Sequence, residues 1–145
     1  MSIINFHRVS PVLCCAGQPS EAQLSFIAQN GVRLVVNLGL LGTDYALPRE
    51  ARTVEELGMA YVHLPVDFKQ PTVADFEQFC AALNGRPTCS TLVHCALNYR
   101  ASSFTALYLE RSGNWSHDQA EELRHRFWQP DATWQEWAER VRGVV

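Results

Sequence analysis

The sequence predicts an α/β domain, with a central, mostly parallel sheet of four or five strands flanked by helices on both faces. Two observations predict it. Short apolar runs ending near residues 16, 38, 64 and 94 alternate with amphipathic stretches that open on capping motifs. Glycine or proline punctuates almost every junction between them. At 145 residues with 47% hydrophobic content, the chain can bury one substantial core, so a single domain over residues 1–145 is expected.

Each element has its own signal. Val12-Leu13-Cys14-Cys15-Ala16 reads as a strand ended by Gly17-Gln18-Pro19. Ser20-x-x-Gln23 is a capping box for a helix carrying Ala22, Leu24, Ile27 and Ala28, closed by Gly31. Arg33 to Leu38 is a β-branched run suited to a buried strand. After a loop from Gly39 to Leu47, Pro48 at the first helical position starts a helix that Gly58 stops. Met59 to Leu64 is a further strand, ended by Pro65. Thr72-x-x-Asp75 opens a helix with Phe76, Phe79, Cys80 and Leu83 facing inward, broken by Gly85-Arg86-Pro87. Thr91 to His94 forms the last strand, and a helix follows from about Ala101 to Arg111, ended by Gly113. Ser116-x-x-Gln119 and Thr133-x-x-Glu136 open two more helices. Trp134 and Trp137, three apart, are expected to pack the last of these onto the domain rather than to form a stacking surface with Trp128.

Composition narrows the function. A net charge of −3 gives no general field for nucleic acid or an anionic membrane, and Arg124-His125-Arg126, the densest basic cluster, reads as one solvated helix face. The N-terminal residues lack the charged and apolar regions of a secretory signal, and no run of 18 apolar residues is present. The five cysteines (14, 15, 80, 89 and 95) suit neither a zinc ribbon nor a redox pair, and Cys14 and Cys15 point to opposite faces of a strand. A cytoplasmic protein with reduced cysteines, no metal, no cofactor, and neither nucleic acid nor membrane as partner is expected.

The chemistry concentrates in His94-Cys95-Ala96-Leu97-Asn98-Tyr99-Arg100-Ala101-Ser102, between a buried strand and a helix. Backbone N–H groups converge at such a junction, bind anions and favour a thiolate over a thiol. A free cysteine can also be no more than a small buried hydrophobe. The flanking His94 and Arg100 argue for the thiolate, with Arg100 gripping a tetrahedral oxyanion through two parallel hydrogen bonds. The N–H groups of Ala96, Leu97, Asn98 and Tyr99 would bind substrate with it, and Asn98 would supply the φ > 0 turn that aims them. Ser102 either donates to the sulfur or is a plain N-terminal helix residue. His94 would orient the loop.

In an α/β sheet ligands bind beyond the carboxyl ends of the strands, where Cys95, the loop around Asp67 and Asn37 all fall. Asp67 is the candidate general acid, with a solvated loop carboxylate as the bland reading. Asn37 is expected to tie rim loops together rather than touch substrate.

Together these residues resemble the protein tyrosine and dual-specificity phosphatase superfamily. More narrowly, the chain is similar to small bacterial phosphatase-like domains with a Gly-Gln-Pro-Ser element near the N-terminus. Here that element is Gly17-Gln18-Pro19-Ser20, followed by Val35-Val36-Asn37-Leu38, Tyr61-Val62-His63-Leu64-Pro65-Val66 and Val93-His94-Cys95, across roughly residues 10–110. The resemblance implies a phosphomonoesterase acting through a phosphocysteine on Cys95, on a phosphorylated protein or a small phosphorylated molecule. A loop aspartate upstream would be the general acid.

The chain departs from the pattern in one place. The superfamily separates cysteine from arginine by five residues, and here only four separate Cys95 from Arg100. Without a gap the arginine position falls on Ala101 and the hydroxyl position on Ser102. With a one-residue deletion Arg100 regains its place and Ala101 takes the hydroxyl position. One residue spans at most about 3.3–3.6 Å, comparable to a phosphate group. A four-residue spacing also resembles rhodanese-type sulfurtransferases, so persulfide transfer through Cys95 and a non-catalytic anion- or phosphoprotein-binding module stay open.

Overall fold

The computed structural model describes residues 2–86 and 88–143, so Pro87, expected to help end a helix, lies outside the described residues. Five strands form one sheet: β1 (His7–Ser10), β2 (Leu13–Ala16), β3 (Leu34–Asn37), β4 (Ala60–His63) and β5 (Thr91–His94), in spatial order β1-β2-β5-β3-β4. All neighbours are parallel except β1, which runs antiparallel to β2. The predicted α/β architecture is therefore the observed one.

The helices are α1 (Glu21–Gln29), α2 (Glu50–Glu56), α3 (Val73–Asn84), α4 (Tyr99–Arg111), α5 (His117–Arg124) and α6 (Ala132–Arg142). The expected capping boxes form at Ser20, Thr72 and Ser116, each side-chain oxygen accepting the N3 amide while the N3 side chain reaches back. Alternation along the buried strands sorts side chains between two cores. Cys15, Val36 and Val93 face α3, α4 and α6, whereas Cys14, Val35 and Leu92 face α1 and α2. The first core is aromatic: Phe104 stacks on Trp137 at 4.7 Å, and Trp134 lies 5.0 Å from Trp137. Both tryptophans are fully buried, with their N–H groups given to the Phe68 and Thr72 carbonyls.

Several boundaries differ from the sequence reading. β1 carries no apolar run: His7-Arg8-Val9-Ser10 is a partly buried edge strand paired antiparallel to β2 alone. Pro48 precedes α2 rather than starting it, and Arg49 is the N-cap. The last helix is capped by Asp131, whose side chain accepts the Trp134 N–H at 3.0 Å, so Thr133 lies inside it. Arg124 is no solvated residue: it is fully buried, donating to Glu121 at 2.6 Å and to the Trp134 carbonyl at 3.1 Å. An arginine stem packs under a helix while its fork reaches fixed acceptors, so only His125 and Arg126 of that trio stay exposed. No described helix is long and apolar enough to cross a membrane.

Candidate active site

The register of the parallel strands sets one rim. Ala16, His94, Asn37 and His63 stand side by side across β2, β5, β3 and β4. Gly17, Cys95, Leu38 and Leu64 therefore leave the sheet together, with Cys95 on the central strand. α4 starts at Tyr99, two residues earlier than expected, which puts Arg100 in its first turn.

The loop between β5 and α4 is shaped by its carbonyls. The Ala96 carbonyl accepts from Gln18 N at 3.0 Å, and the Cys95 carbonyl lies 3.3 Å from His94 Nδ1. The Asn98 carbonyl accepts from Ser102 N at 3.0 Å, and that of Tyr99 from Ser103 Oγ at 2.9 Å. In a trans peptide the N–H points opposite to the carbonyl. The N–H groups of Ala96, Leu97, Tyr99 and Arg100 are thus turned to the other side, where they have no partner among the described residues. Unpartnered donors at a helix N-terminus are suited to an anion.

Asn98 has φ 72° and ψ 7°, the left-handed turn for which asparagine is suited. Its side chain donates to the Asn5 carbonyl at 2.8 Å and to Cys15 Sγ at 3.5 Å. Cys95 is 1% exposed, and its sulfur accepts from the Ala101 N–H at 3.4 Å. The Ser102 hydroxyl is turned back to the Tyr99 carbonyl at 3.3 Å, so a backbone amide, rather than a hydroxyl, serves the sulfur. Burial pushes the neighbouring Cys15 thiol up to about 12 and the Cys14 thiol up to about 11.

Arg100 turns toward the loop after β4. Its guanidinium donates to the Val66 carbonyl at 2.9 Å and to the Tyr45 hydroxyl at 3.3 Å, lying 6.0 Å from the ring centres of both Tyr45 and Phe68. Burial raises the Tyr45 pKa, but hydrogen bonds from Arg100 and the Leu40 amide and the guanidinium charge outweigh it, leaving the phenol below its ordinary value. Arg100 and Cys95 line one hollow of about 240 Å³ with Phe68, Ala96, Leu97 and Tyr99. Asp67 lies between Val66 and Phe68, exposed, its carboxylate accepting from Lys69 N at 2.9 Å. Asn37 stands behind the hollow, donating to the Tyr61 hydroxyl at 3.0 Å and accepting the Gly39 N–H at 2.7 Å.

Beneath the loop lies a carboxylate that the sequence reading missed. Glu50, at the start of α2, is 2% exposed, within 2.6 Å of His94 Nε2 and accepting from Gln18 Nε2 at 2.6 Å. Burial raises its pKa, yet the His94, Gln18 and Tyr61 contacts outweigh this and hold it below the ordinary carboxylate value. Its sequence position gave no signal, since an acidic residue in a first helical turn is commonplace. Tyr45 was hidden for a similar reason, lying in a long loop of no readable shape. Gln18 sits in the Gly-Gln-Pro-Ser element, whose purpose here is to close on the loop with its backbone and on Glu50 with its side chain. Among the described residues, no group of three histidine, cysteine or acidic side chains is placed to hold a metal ion.

Residues 5–139 match the family described as "DSP-PTPase phosphatase fused to NAD+ Kinase". Among solved structures, a DUF442 protein of Shewanella putrefaciens CN-32, described as a candidate phosphatase, is 34% identical, with a TM-score of 0.88 over 98% of this chain and 93% of that one. Tk-PTP in its active form shares the fold at 20% identity and a TM-score of 0.81, covering 97% of each chain. TpbA of P. aeruginosa in complex with pTyr does so at 20% identity and a TM-score of 0.72, over 97% of this chain and 84% of that one. No curated protein matches the chain.

Proposed function

The chain belongs to the family of DSP-PTPase phosphatases described as fused to NAD+ kinase, and from that premise we propose that it is a cysteine-dependent phosphomonoesterase working through a phosphocysteine. One observation carries the reading: Cys95 and Arg100 line the same hollow, beside loop N–H groups that have no partner among the described residues.

In this reading the Cys95 thiolate attacks phosphorus in line. The S–P bond forms as the P–O bond to the leaving group breaks, and Asp67 gives its proton to the departing oxygen. Water then attacks the phosphocysteine, Asp67 takes the water's proton, and Cys95 leaves as thiolate with inorganic phosphate as product. Arg100 and the free loop amides hold the equatorial oxygens through both steps, while the Ala101 N–H steadies the sulfur as nucleophile and leaving group. For Asp67 this requires its carboxylate to exchange the Lys69 amide for the substrate oxygen. The substrate is a phosphorylated protein or a small phosphorylated molecule. NADP joins the panel because the family description pairs such domains with the kinase that makes it.

The test is hydrolysis of an aryl phosphate, phosphotyrosine peptide and NADP by the wild type, Cys95→Ser and Asp67→Asn, beside a thiosulfate sulfurtransferase assay. Phosphate release that vanishes in Cys95→Ser supports the reading. Sulfur transfer without phosphate release overturns it in favour of a persulfide on Cys95.

A second reading rests on a different observation. Cys95 is 1% and Arg100 5% exposed, and the Arg100 fork already engages Val66 and Tyr45. A binding module for phosphorylated partners needs only the cradle, so it predicts phosphate binding without turnover that survives Cys95→Ser and fails in Arg100→Ala.

A further inference from the structure

Among the described residues, the two non-glycine residues with positive φ are Asn5, at 48°, and Asn98, at 72°. They are 93 positions apart and they hold each other. Asn5 Nδ2 donates to the Leu97 carbonyl at 2.9 Å, and Asn98 Nδ2 donates to the Asn5 carbonyl at 2.8 Å. Asparagine takes the left-handed region more readily than other non-glycine residues, and hydrogen bonds between the two segments hold both turns in place. The strap around Asn5 is itself fastened. Gly17 N donates to the Ile4 carbonyl at 2.7 Å, and Gln23 Nε2 to that of Ser2 at 2.7 Å.

We infer that Asn5 is a positioning residue for the anion cradle: its side-chain amide holds the Leu97 carbonyl, and so fixes the turn at Asn98 that aims the loop N–H groups. The inference rests on reading the Cys95–Arg100 loop as an anion site. The neighbouring Ala96 carbonyl is pinned by Gln18 N, a backbone group, and the peptide between Leu97 and Asn98 is the next one along. With Asn5 removed, nothing else among the described residues holds the Leu97 carbonyl, and the peptide is restrained only by the bridge between Leu97 and Gly17. Asn98 then keeps one contact of its pair at most, because its own side chain reaches back to the same strap. The exposed N-terminal segment thus braces a loop one residue shorter than the phosphatase pattern.

The test is calorimetric binding of inorganic phosphate to wild type, Asn5→Gly and Asn5→Asp, with thermal unfolding of each. Glycine keeps the left-handed backbone and drops the donor, whereas aspartate keeps the size and turns the donor into an acceptor facing a carbonyl. Binding weakened about tenfold in Asn5→Gly, and further in Asn5→Asp, is the expected result for a lost aiming contact. Gln23→Ala, which loosens the strap at Ser2, opens the α1 capping box and leaves the Asn5 contact intact, lowers the melting temperature without changing phosphate affinity. Unchanged binding in both Asn5 variants overturns the inference, as does equal weakening by Gln23→Ala. Since binding needs no turnover, a wild type that binds phosphate but hydrolyses no phosphomonoester sinks the hydrolase reading and leaves the role of Asn5 to be judged on binding alone.

Discussion

Glu50 and His94 meet at 2.6 Å with side chains 1% and 0% exposed, one residue behind Cys95. The other His94 nitrogen faces the Cys95 carbonyl, which can only accept, so the proton on Nδ1 belongs to the contact that turns the Ala96 amide toward the hollow. A buried carboxylate gains little net stability from such pairing, yet losing one partner is costly.

Replacing Glu50 by leucine therefore leaves His94 Nε2 without its partner and Gln18 Nε2 with the Pro19 carbonyl alone. The expected cost is about 3–5 kcal/mol in urea unfolding, the range for breaking a buried pair. Glu50→Gln keeps the shape and changes the charge. The folded-state pKa of Glu50 lies below its unfolded value, so its stabilisation is complete above the ordinary carboxylate range and is lost as pH falls through the depressed value. Unfolding free energies from pH 7 down to pH 3 should fall more steeply in wild type than in Glu50→Gln. Parallel curves would show that Glu50 contributes no acid dependence.

Arg100→Lys keeps the charge and loses the fork. An ammonium lacks the planar fork that reaches Val66, Tyr45 and a phosphate in fixed directions, so kcat/KM for an aryl phosphate should fall by about 10²–10³, with some loss of melting temperature because Arg100 is buried. Retained activity would mean that the guanidinium is only a prop for the loop after β4.

Tyr45→Phe removes an acceptor for Arg100 and for the Leu40 amide and spares the ring beside the guanidinium. Losing a hydrogen bond to a charged group is worth about 1.5–3 kcal/mol. The expected readout is a rise in KM or in the phosphate dissociation constant of roughly tenfold or more, with circular dichroism unchanged. No shift in either constant would show that Arg100 is held without Tyr45.

A methyl group on Gly17 would come 2.6 Å from the Ala96 carbonyl and 2.9 Å from Ile4 Cγ2. The first of these is backbone and belongs to the loop that carries Cys95. Gly17→Ala should cost about 1–3 kcal/mol by overpacking, and should weaken phosphate binding as the loop shifts. A fully stable variant with wild-type affinity would show that the loop tolerates displacement at Ala96.

The α/β plan, the strand ends and the capping boxes at Ser20, Thr72 and Ser116 were legible because they follow from local periodicity and local hydrogen bonding. The His94–Arg100 stretch and the left-handed turn at Asn98 were legible for the same reason: a strand, a turn and a helix start are sequence-local. The edge strand β1 was not, since His7-Arg8-Val9-Ser10 has no apolar pattern and is a strand only through its pairing with β2. Asp131 displaced Thr133 as a cap because a competing N-cap two residues earlier claims the Trp134 amide.

The sequence by itself determined which side chains the loop carries and its place on the central strand's carboxyl end. Tertiary structure alone decided how that loop is held: Gln18 and Asn5 pin its carbonyls from the N-terminal segment, Glu50 secures His94 from beneath, and Tyr45 and Val66 take the Arg100 fork. Those partners lie far from Cys95 along the chain. A hydrogen bond between distant segments leaves no periodicity in either of them, so it exists only once the sheet has brought the strand ends together.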